Sequence, residues 1–477
     1  MAFLAVAVAT ALVYAGLVLW VPLLPDNLYV PLRDLGKITG YRWSSAALYL
    51  FIVLLLYGLY AAGYHLVKRE RAGTKAITAA GALFCLELVW AYPGTAVDVF
   101  GYVAHGRLLA QHLANPFVVA PDRFPLDPIL PYLAFPDEPS QYGPAWVVLS
   151  GAFAALGHGS LATEVLLYKA MGAAAQIGAA VLIYLIAARL GATTAMARVS
   201  AYLYLWNPML LWEMVGNAHN DGLMMLFGLG AIWLYLARFD RLVLPAVALG
   251  ALVKLPVVLI APLLLIGMWR RGRLKAMESA LLAVALVVVV YRPFWQGPQT
   301  LTALRRTDLF TASLASVLRL GLEPTLGLTQ ATSLARSVSL GLFGALVVLC
   351  LWLAGRACSD RGVLRAAYFS LLAALLLATT WFQAWYVVWP FSLAAALAEP
   401  RRHLEAALLS LGGLLQYFVF IYLWVIGVFP PYENFGVQAT AYAAIVGPVV
   451  FGLALRSLPH ARWVATEELT FGQWKRS

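Results

Sequence analysis

The sequence predicts an all-α protein, a polytopic bundle of transmembrane helices that forms one unit over residues 1–477 and carries long loops on one side. Three observations predict it. Hydrophobic residues make up 62% of the chain and charged residues only 12%, where a soluble domain carries roughly a quarter charged residues. Mean hydropathy is +0.81, and apolar runs suited to a bilayer recur from end to end. Aromatic residues reach 13%, as expected where rings sit at two water interfaces. A soluble protein with a large core is excluded. The net charge of +11 comes from 33 Lys and Arg against 22 Asp and Glu. In a membrane protein it points first to basic cytoplasmic loops, and no nucleic-acid partner is expected.

The spans follow in order. Residues 3–24 read as a retained first span, because the first basic residue is Arg33 and a signal peptide would need a basic flank. Further apolar segments cover 45–66, 77–92, 142–156, 165–188, 199–212, 223–236, 242–268, 280–290, 340–353, 366–380, 387–397, 406–425 and 440–455. Several fall short of the ~20 residues of a full crossing, so about 12 to 14 spans are expected. No internal repeat is visible. Cys85 and Cys350 lie inside apolar runs and Cys358 just past one, with neither disulfide nor metal-site spacing.

Basic clusters set the orientation. Lys68, Arg69, Arg71 and Lys75 mark one cytoplasmic loop. Arg270 to Lys275, Arg361 with Arg365, and Arg401 with Arg402 mark others. Asp98 then lies outside. In the middle of the chain, simple alternation puts Arg189, Arg198, Arg238 and Arg241 outside. Those arginines favour the reverse, which requires that 242–268 be broken at Lys254–Pro256 and that one earlier segment not cross. Pro256 disfavours helix at the residue before it, so the broken version is preferred. It brings His219, Asp221 and Lys254 to the side of Asp98. The two longest breaks in hydropathy, 93–141 and 291–340, are external, so the chemistry is expected on the outer face.

Asp98 opens "DVFGYVAHGRLLAQH" directly after an apolar run. Read as a helix, Asp98, His105 and His112 share a face with Tyr102 nearby, and Val99, Phe100, Val103, Leu108 and Ala110 offer apolar surface for lying in the interface. Thr95-x-x-Asp98 also fits a capping box. In "WNPMLLWEMVGNAHNDGLMM", Glu213, His219, Asn220 and Asp221 interrupt apolar runs, and polar groups at such depth face a cavity or a partner. The same residues also read as a tight turn with Asn220 as a helix cap. His-x-Asp alone gives too few ligands for a metal site.

Lys254 in "ALVKLPVVL" either snorkels or presents a fixed charge to an anion. Arg292, Arg305, Arg306, Arg319 and Arg336 stand outside against the positive-inside bias, where they suit a phosphate ligand or lipid head groups. "YGPAW" at 142–146 and "WFQAWYVVWP" at 381–390 are aromatic clusters that belong to the interface belt or stack on a sugar. No Gly-rich phosphate loop, H-E-x-x-H or G-x-S-x-G occurs.

An outer-loop Asp just past a span, then a helix, "NPF" and "YGP", resembles the GT-C superfamily of integral-membrane glycosyltransferases. "WNP…GNAHND", "ALVKLP" and "WFQAWYVVWP" in that order narrow the resemblance to polyprenyl-phosphate-mannose-dependent mannosyltransferases of lipoglycan assembly and their family 87 relatives. It covers roughly residues 92–390. The resemblance implies a GT-C-like bundle in the plasma membrane, working on its extracytoplasmic side. It implies a polyprenyl-phosphate-linked hexose donor, mannose foremost, a glycolipid or glycan acceptor, and no cofactor or metal. Asp98 takes the place of the general base. Lys254, Arg292, Arg305, Arg306, His219, Asn220 and Asp221 fall to the donor phosphate. Tyr102, His105, Tyr142, Trp381, Gln383, Trp385 and Tyr386 fall to the sugar and acceptor.

A single displacement would invert the anomeric carbon. Asp122, Asp127, Asp137 and Glu138 share the loop with Asp98, so a two-carboxylate geometry stays open. The alternative is a transporter or flippase of a lipid-linked sugar, which more often shows internal repeats and mid-membrane polar residues. A third reading, a scaffold for envelope assembly, would leave Asp98 dispensable.

Overall fold

The computed structural model describes residues 1–24, 26–305, 309–427 and 434–457. Among them the only strand-like pairings are two isolated bridges, Pro22 with Ala91 and Thr311 with Trp381. Every long element is a helix, because a backbone in hydrocarbon must satisfy its own N–H and C=O groups. Among the described residues eight helices are long and apolar enough to cross a bilayer: Ala2–Trp20, Trp43–Lys68, Leu161–Arg189, Arg273–Phe294, Leu328–Arg356, Asp360–Ala378, Pro400–Leu423 and Phe435–Ala454. The other expected spans are shorter helices. Thr194–Leu205 stops before Asn207–Pro208, and a π-helix follows at Leu211–Gly216. Asp240–Ala251 and Ala261–Arg271 are separated by extended Lys254 and a 3-10 turn, so the break expected at Lys254–Pro256 is present.

Two ends of the bundle are distinct. Arg198 pairs with Glu70 at 3.7 Å, Arg238 with Asp360 at 2.8 Å, Arg271 with Asp240 at 3.4 Å and Arg365 with Glu399 at 2.8 Å. Arg361 donates to the carbonyls of Leu190 and Leu397, both at 2.8 Å. These contacts gather the basic turns around 68–75, 189–198, 238–241, 270–275, 361–365 and 399–402, including those of the middle segments, at one end. His219, Asp221 and Lys254 consequently share the other end with Asp98. The segment 142–156 does not run from the Asp98 end of the bundle to the basic end. Its helix, Pro144–Gly157, lies beside Asp98–Ala110 and runs the same way: Tyr142 meets Asp98 at one extremity and Arg107 reaches the Gly159 carbonyl at the other.

Three expectations are corrected. Val99, Phe100, Val103 and Leu108 are buried against protein, so the Asp98 helix packs inside the fold instead of lying in the lipid interface. His112 lies beyond the end of that helix, where its Nε2 meets Asp127 Oδ2 at 2.9 Å. The second loop is shorter than 291–340, because the crossing helix begins at Leu328. Thr329, Gln330, Ser333, Arg336 and Ser337 interrupt the hydropathy without breaking the helix. Arg306 lies outside the described residues, as does the side chain of Arg305.

Candidate active site

The site is assembled from three stretches far apart in sequence. Asp98 is the first residue of its helix, with Val97 at the N-cap and no side-chain cap. The expected capping box is absent. The Thr95 hydroxyl turns away to donate to Glu213 Oε1 at 3.4 Å and to accept from Trp212 Nε1 at 2.8 Å. Asp98 keeps 28% of its side chain exposed. It opens on a cleft lined by Gly101, His105, Phe135, Glu138, Gln141 and Tyr142. The Tyr142 hydroxyl donates to Asp98 Oδ2 at 3.4 Å. Burial and then the Asp98 charge push that phenol well above its usual range, so it stays a donor. His105, lining the same cleft, is pushed down to about 4 by burial and is neutral at pH 7.

"YGP" has a structural reason. The Gly143 and Ala145 amides donate to the carbonyls of Val253 and Leu252, at 3.1 and 3.0 Å. A side-chain carbon on Gly143 would collide with the Leu252 carbonyl. This close approach puts Lys254 over the Tyr142 ring, 5.8 Å from its centre, and 4.8 Å from that of Tyr386. "NPF" docks the loop at its far side. Asn115 Nδ2 donates to the Phe294 carbonyl at 2.8 Å, and Phe117 packs on Phe294.

The "HND" turn lies beneath Asp98. His219 is fully buried, with Nδ1 3.8 Å from Asp98 Oδ2 and Nε2 3.2 Å from Glu213 Oε2. Asp221 is also fully buried; it accepts from Lys254 Nζ and from Trp389 Nε1, both at 2.7 Å. Lys254 is therefore paired within the protein, and its ammonium borders the site as half of an ion pair. Asn220 stands at the N-cap of Asp221–Leu236 but makes no capping bond. Both its polar side-chain atoms are buried without a hydrogen-bond partner.

The 384–396 stretch closes the cluster from the C-terminal half. Trp385 stacks on His219 with ring centres 3.8 Å apart, and Tyr386 stacks on Trp389 at 4.5 Å. Three carboxylates (Asp98, Glu213 and Asp221) thus surround one imidazole and one ammonium. Such an arrangement accepts a proton at its exposed member and favours positive charge developing on a bound group.

The other expected residues are placed differently. Tyr102 is fully buried behind Tyr142, ring centres 5.0 Å apart, and backs the cleft instead of lining it. Trp381 and Gln383 are half-buried, and the backbone of 380–382 is tied to Thr311. No hydrogen bond or ring contact joins either to Asp98 among the described residues. Arg292 is exposed at the end of its helix, beside an apolar groove of Val287, Val288, Tyr291, Trp295 and Leu301. Sequence reasoning missed Trp389 as the partner of Asp221 and Glu213 as the partner of His219. It also missed the buried anchor of the loop, where Arg107 binds Glu164 at 3.0 Å and Asp127 at 3.2 Å. Polar residues inside apolar runs were the available signal; which of them pair was not.

The family model for the alpha-(1->6)-mannopyranosyltransferase N-terminal domain matches residues 3–271, more than half of the chain. That stretch holds Asp98, Glu213, His219, Asp221 and Lys254. Alpha-(1->6)-mannopyranosyltransferase A of Mycobacterium tuberculosis (strain ATCC 25618 / H37Rv) is 25% identical over 433 residues, covering 84% of this chain and 78% of that protein. The crystal structure of the Archaeoglobus fulgidus oligosaccharyltransferase in its apo form superposes with a TM-score of 0.42 at 14% identity. That likeness covers 79% of this chain and 55% of that one.

Proposed function

From the premise that this chain belongs to the alpha-(1->6)-mannopyranosyltransferase family, and so is a membrane-embedded glycosyltransferase, we propose that it moves mannose from a polyprenyl-phosphate-linked donor to a hydroxyl of a glycolipid or glycan acceptor. The reaction takes place at the extracytoplasmic face of the plasma membrane. The observation that carries the reading is the position of Asp98. It is the partly exposed carboxylate of a buried acidic cluster, on the wall of a cleft, at the end of the bundle opposite the basic turns. Basic turns stay in the cytoplasm, which supports an outward-facing site.

In this reading the acceptor hydroxyl enters the cleft and gives its proton to Asp98. Its oxygen attacks the anomeric carbon of the donor. The bond from that carbon to the phosphate oxygen breaks, the electron pair leaves with the lipid phosphate, and the configuration inverts. A base in such a position contributes on the order of 10²–10⁴ in rate. The Lys254 ammonium, next to Tyr386 and balanced by Asp221, is the cation nearest the cluster for the departing phosphate. Arg292 beside its apolar groove offers a second cation where a lipid chain has room to lie.

The test supplies purified protein in liposomes with synthetic polyprenyl-phosphate mannose or with a nucleotide-linked mannose. Transfer from the lipid donor alone is expected. Transfer from the nucleotide sugar alone, or movement of the lipid across the bilayer without transfer, would overturn the reading.

A further inference from the structure

Glu213 is a carboxylate with no exposure at all, and the protein goes to some length to hold it. It sits on the Leu211–Gly216 π-helix, a local widening that re-aims side chains and recurs at functional sites. Lys169, itself fully buried, donates through Nζ to the Gly216 carbonyl that the widened turn leaves free. Gly172, on the same helix as Lys169, lets that helix press on the Met214 carbonyl, where any side-chain carbon would collide. The carboxylate itself is held from two sides. Thr95 Oγ1 donates to Oε1 at 3.4 Å, and Asn217 Nδ2 donates to Oε2 at 2.9 Å.

What this arrangement presents is a charge on the far nitrogen of His219. The ring is fixed face-on by Trp385 and lies between Glu213 Oε2, 3.2 Å from Nε2, and Asp98 Oδ2, 3.8 Å from Nδ1. A buried carboxylate is costly unless it is paired and hydrogen-bonded, and polar groups kept at such depth mark functional positions. Neither ring nitrogen of His219 makes a hydrogen bond, so Glu213 acts on the imidazole and on the exposed acid beyond it through its charge.

We propose that Glu213 is a positioning residue of the transfer reaction: acting through the His219 ring that Trp385 fixes, its charge strengthens Asp98 as the acceptor of the acceptor-hydroxyl proton. The inference rests on the reading of Asp98 as the base. In the step itself the acceptor O–H proton goes to Asp98, the new oxygen–carbon bond forms, and the donor carbon–oxygen bond breaks toward phosphate. Glu213 and His219 gain and lose no bond. Their part is electrostatic. A second negative charge in low-dielectric surroundings makes a proton on the cluster easier to hold. The groups facing the pair from other elements are Asp98, Tyr49 and Tyr417, with the Asp221–Lys254 pair beyond the turn.

The test measures kcat, KM and the pH profile of mannosyl transfer from synthetic polyprenyl-phosphate mannose in membranes of matched protein abundance. The variants are Glu213→Gln, Glu213→Asp, His219→Gln and the Glu213→Gln/His219→Gln double, with Asp98→Asn alongside. Glu213→Gln is expected to lower kcat by about tenfold or more at unchanged KM. It should also move the acid limb of the profile to lower pH, because one negative charge is gone. Glu213→Asp restores the limb to its wild-type position, and Glu213→Gln costs nothing further in the His219→Gln background.

An unchanged kcat and profile in Glu213→Gln would overturn the proposal, as would a full additive loss in the double variant. If Glu213→Gln does not accumulate, Glu213→Asp decides. A reduced kcat with the acid limb in place supports the proposal, and an unchanged kcat overturns it. Transfer that survives Asp98→Asn would sink the base reading instead. With Asp98→Asn inactive and Glu213→Gln like wild type, only the present inference fails.

Discussion

Lys254 and Asp221 are 33 residues apart and 2.7 Å from contact. Each was visible in the sequence as a charge where hydrocarbon was expected, and Lys254 was assigned there to a ligand anion. The pairing was not visible, because it depends on how the Asp221 turn and the Lys254 break meet across the bundle. Removing one member leaves the other buried and unmatched, which costs about 3–5 kcal/mol. Asp221→Asn should therefore lower the melting temperature in detergent more than the Asp221→Asn/Lys254→Met double variant does. Equal melting temperatures for the two would mean that Lys254 left without Asp221 carries no burial penalty, contrary to this expectation. Asn220 differs in kind. It reads as an ordinary helix cap in sequence, yet both of its polar side-chain atoms lie buried without a partner.

At the scale of elements, the 113–141 loop is the wall of the Asp98 cleft, and its fastening is acid-sensitive. His105 has an ordinary value near 6.5 and is pushed down to about 4 by burial, although its contact with the Glu138 carbonyl works the other way. Below pH ~6.5 the unfolded chain takes up a proton that the folded loop refuses until about 4. Stability is thus lost as pH falls through that window, and above it the ring is neutral in both states and changes nothing. Asp127 acts lower. Burial would raise it, but His112, the Ile129 amide and Arg107 together hold it below the usual carboxylate range. Its contribution is present above ~4 and disappears only as pH falls through its lowered value.

The melting temperature should therefore drop between pH 7 and pH 5, and His105→Gln should flatten that drop. Identical slopes in the two proteins would contradict the assignment. The Asp98 helix was legible from its apolar spacing and its following turn signals. Its depth was not: a 3.6-residue pattern reads the same whether the apolar face meets lipid or protein, and here Val99, Phe100 and Val103 meet protein.

For the whole molecule, the basic turns gather at one end of the bundle and the Asp98 cleft opens at the other. Composition and hydropathy were enough to read the all-helical membrane bundle, and Pro256 was enough to read the break beside Lys254. The place of Pro144–Gly157 was harder to identify, since it is as apolar as the candidate spans and its contacts with Asp98–Ala110 are what set it beside that helix. The sidedness has a direct check. Cys358 is the exposed free cysteine of the three and lies among the basic turns. An impermeant maleimide should label it only after cells are permeabilised. A cysteine placed at Leu126, which is exposed on the cleft-side loop, should react in intact cells. Labelling of Cys358 from outside would invert the molecule and put the cleft in the cytoplasm.

The most direct test of the central claim is mannosyl transfer from synthetic polyprenyl-phosphate mannose by wild type and Asp98→Asn at equal abundance, because the substitution keeps the shape and removes the basic carboxylate. Asp98→Asn is expected to retain the melting temperature and to lose transfer by about 10²–10⁴. Equal transfer by the two proteins would contradict this and move the base to another carboxylate of the cleft.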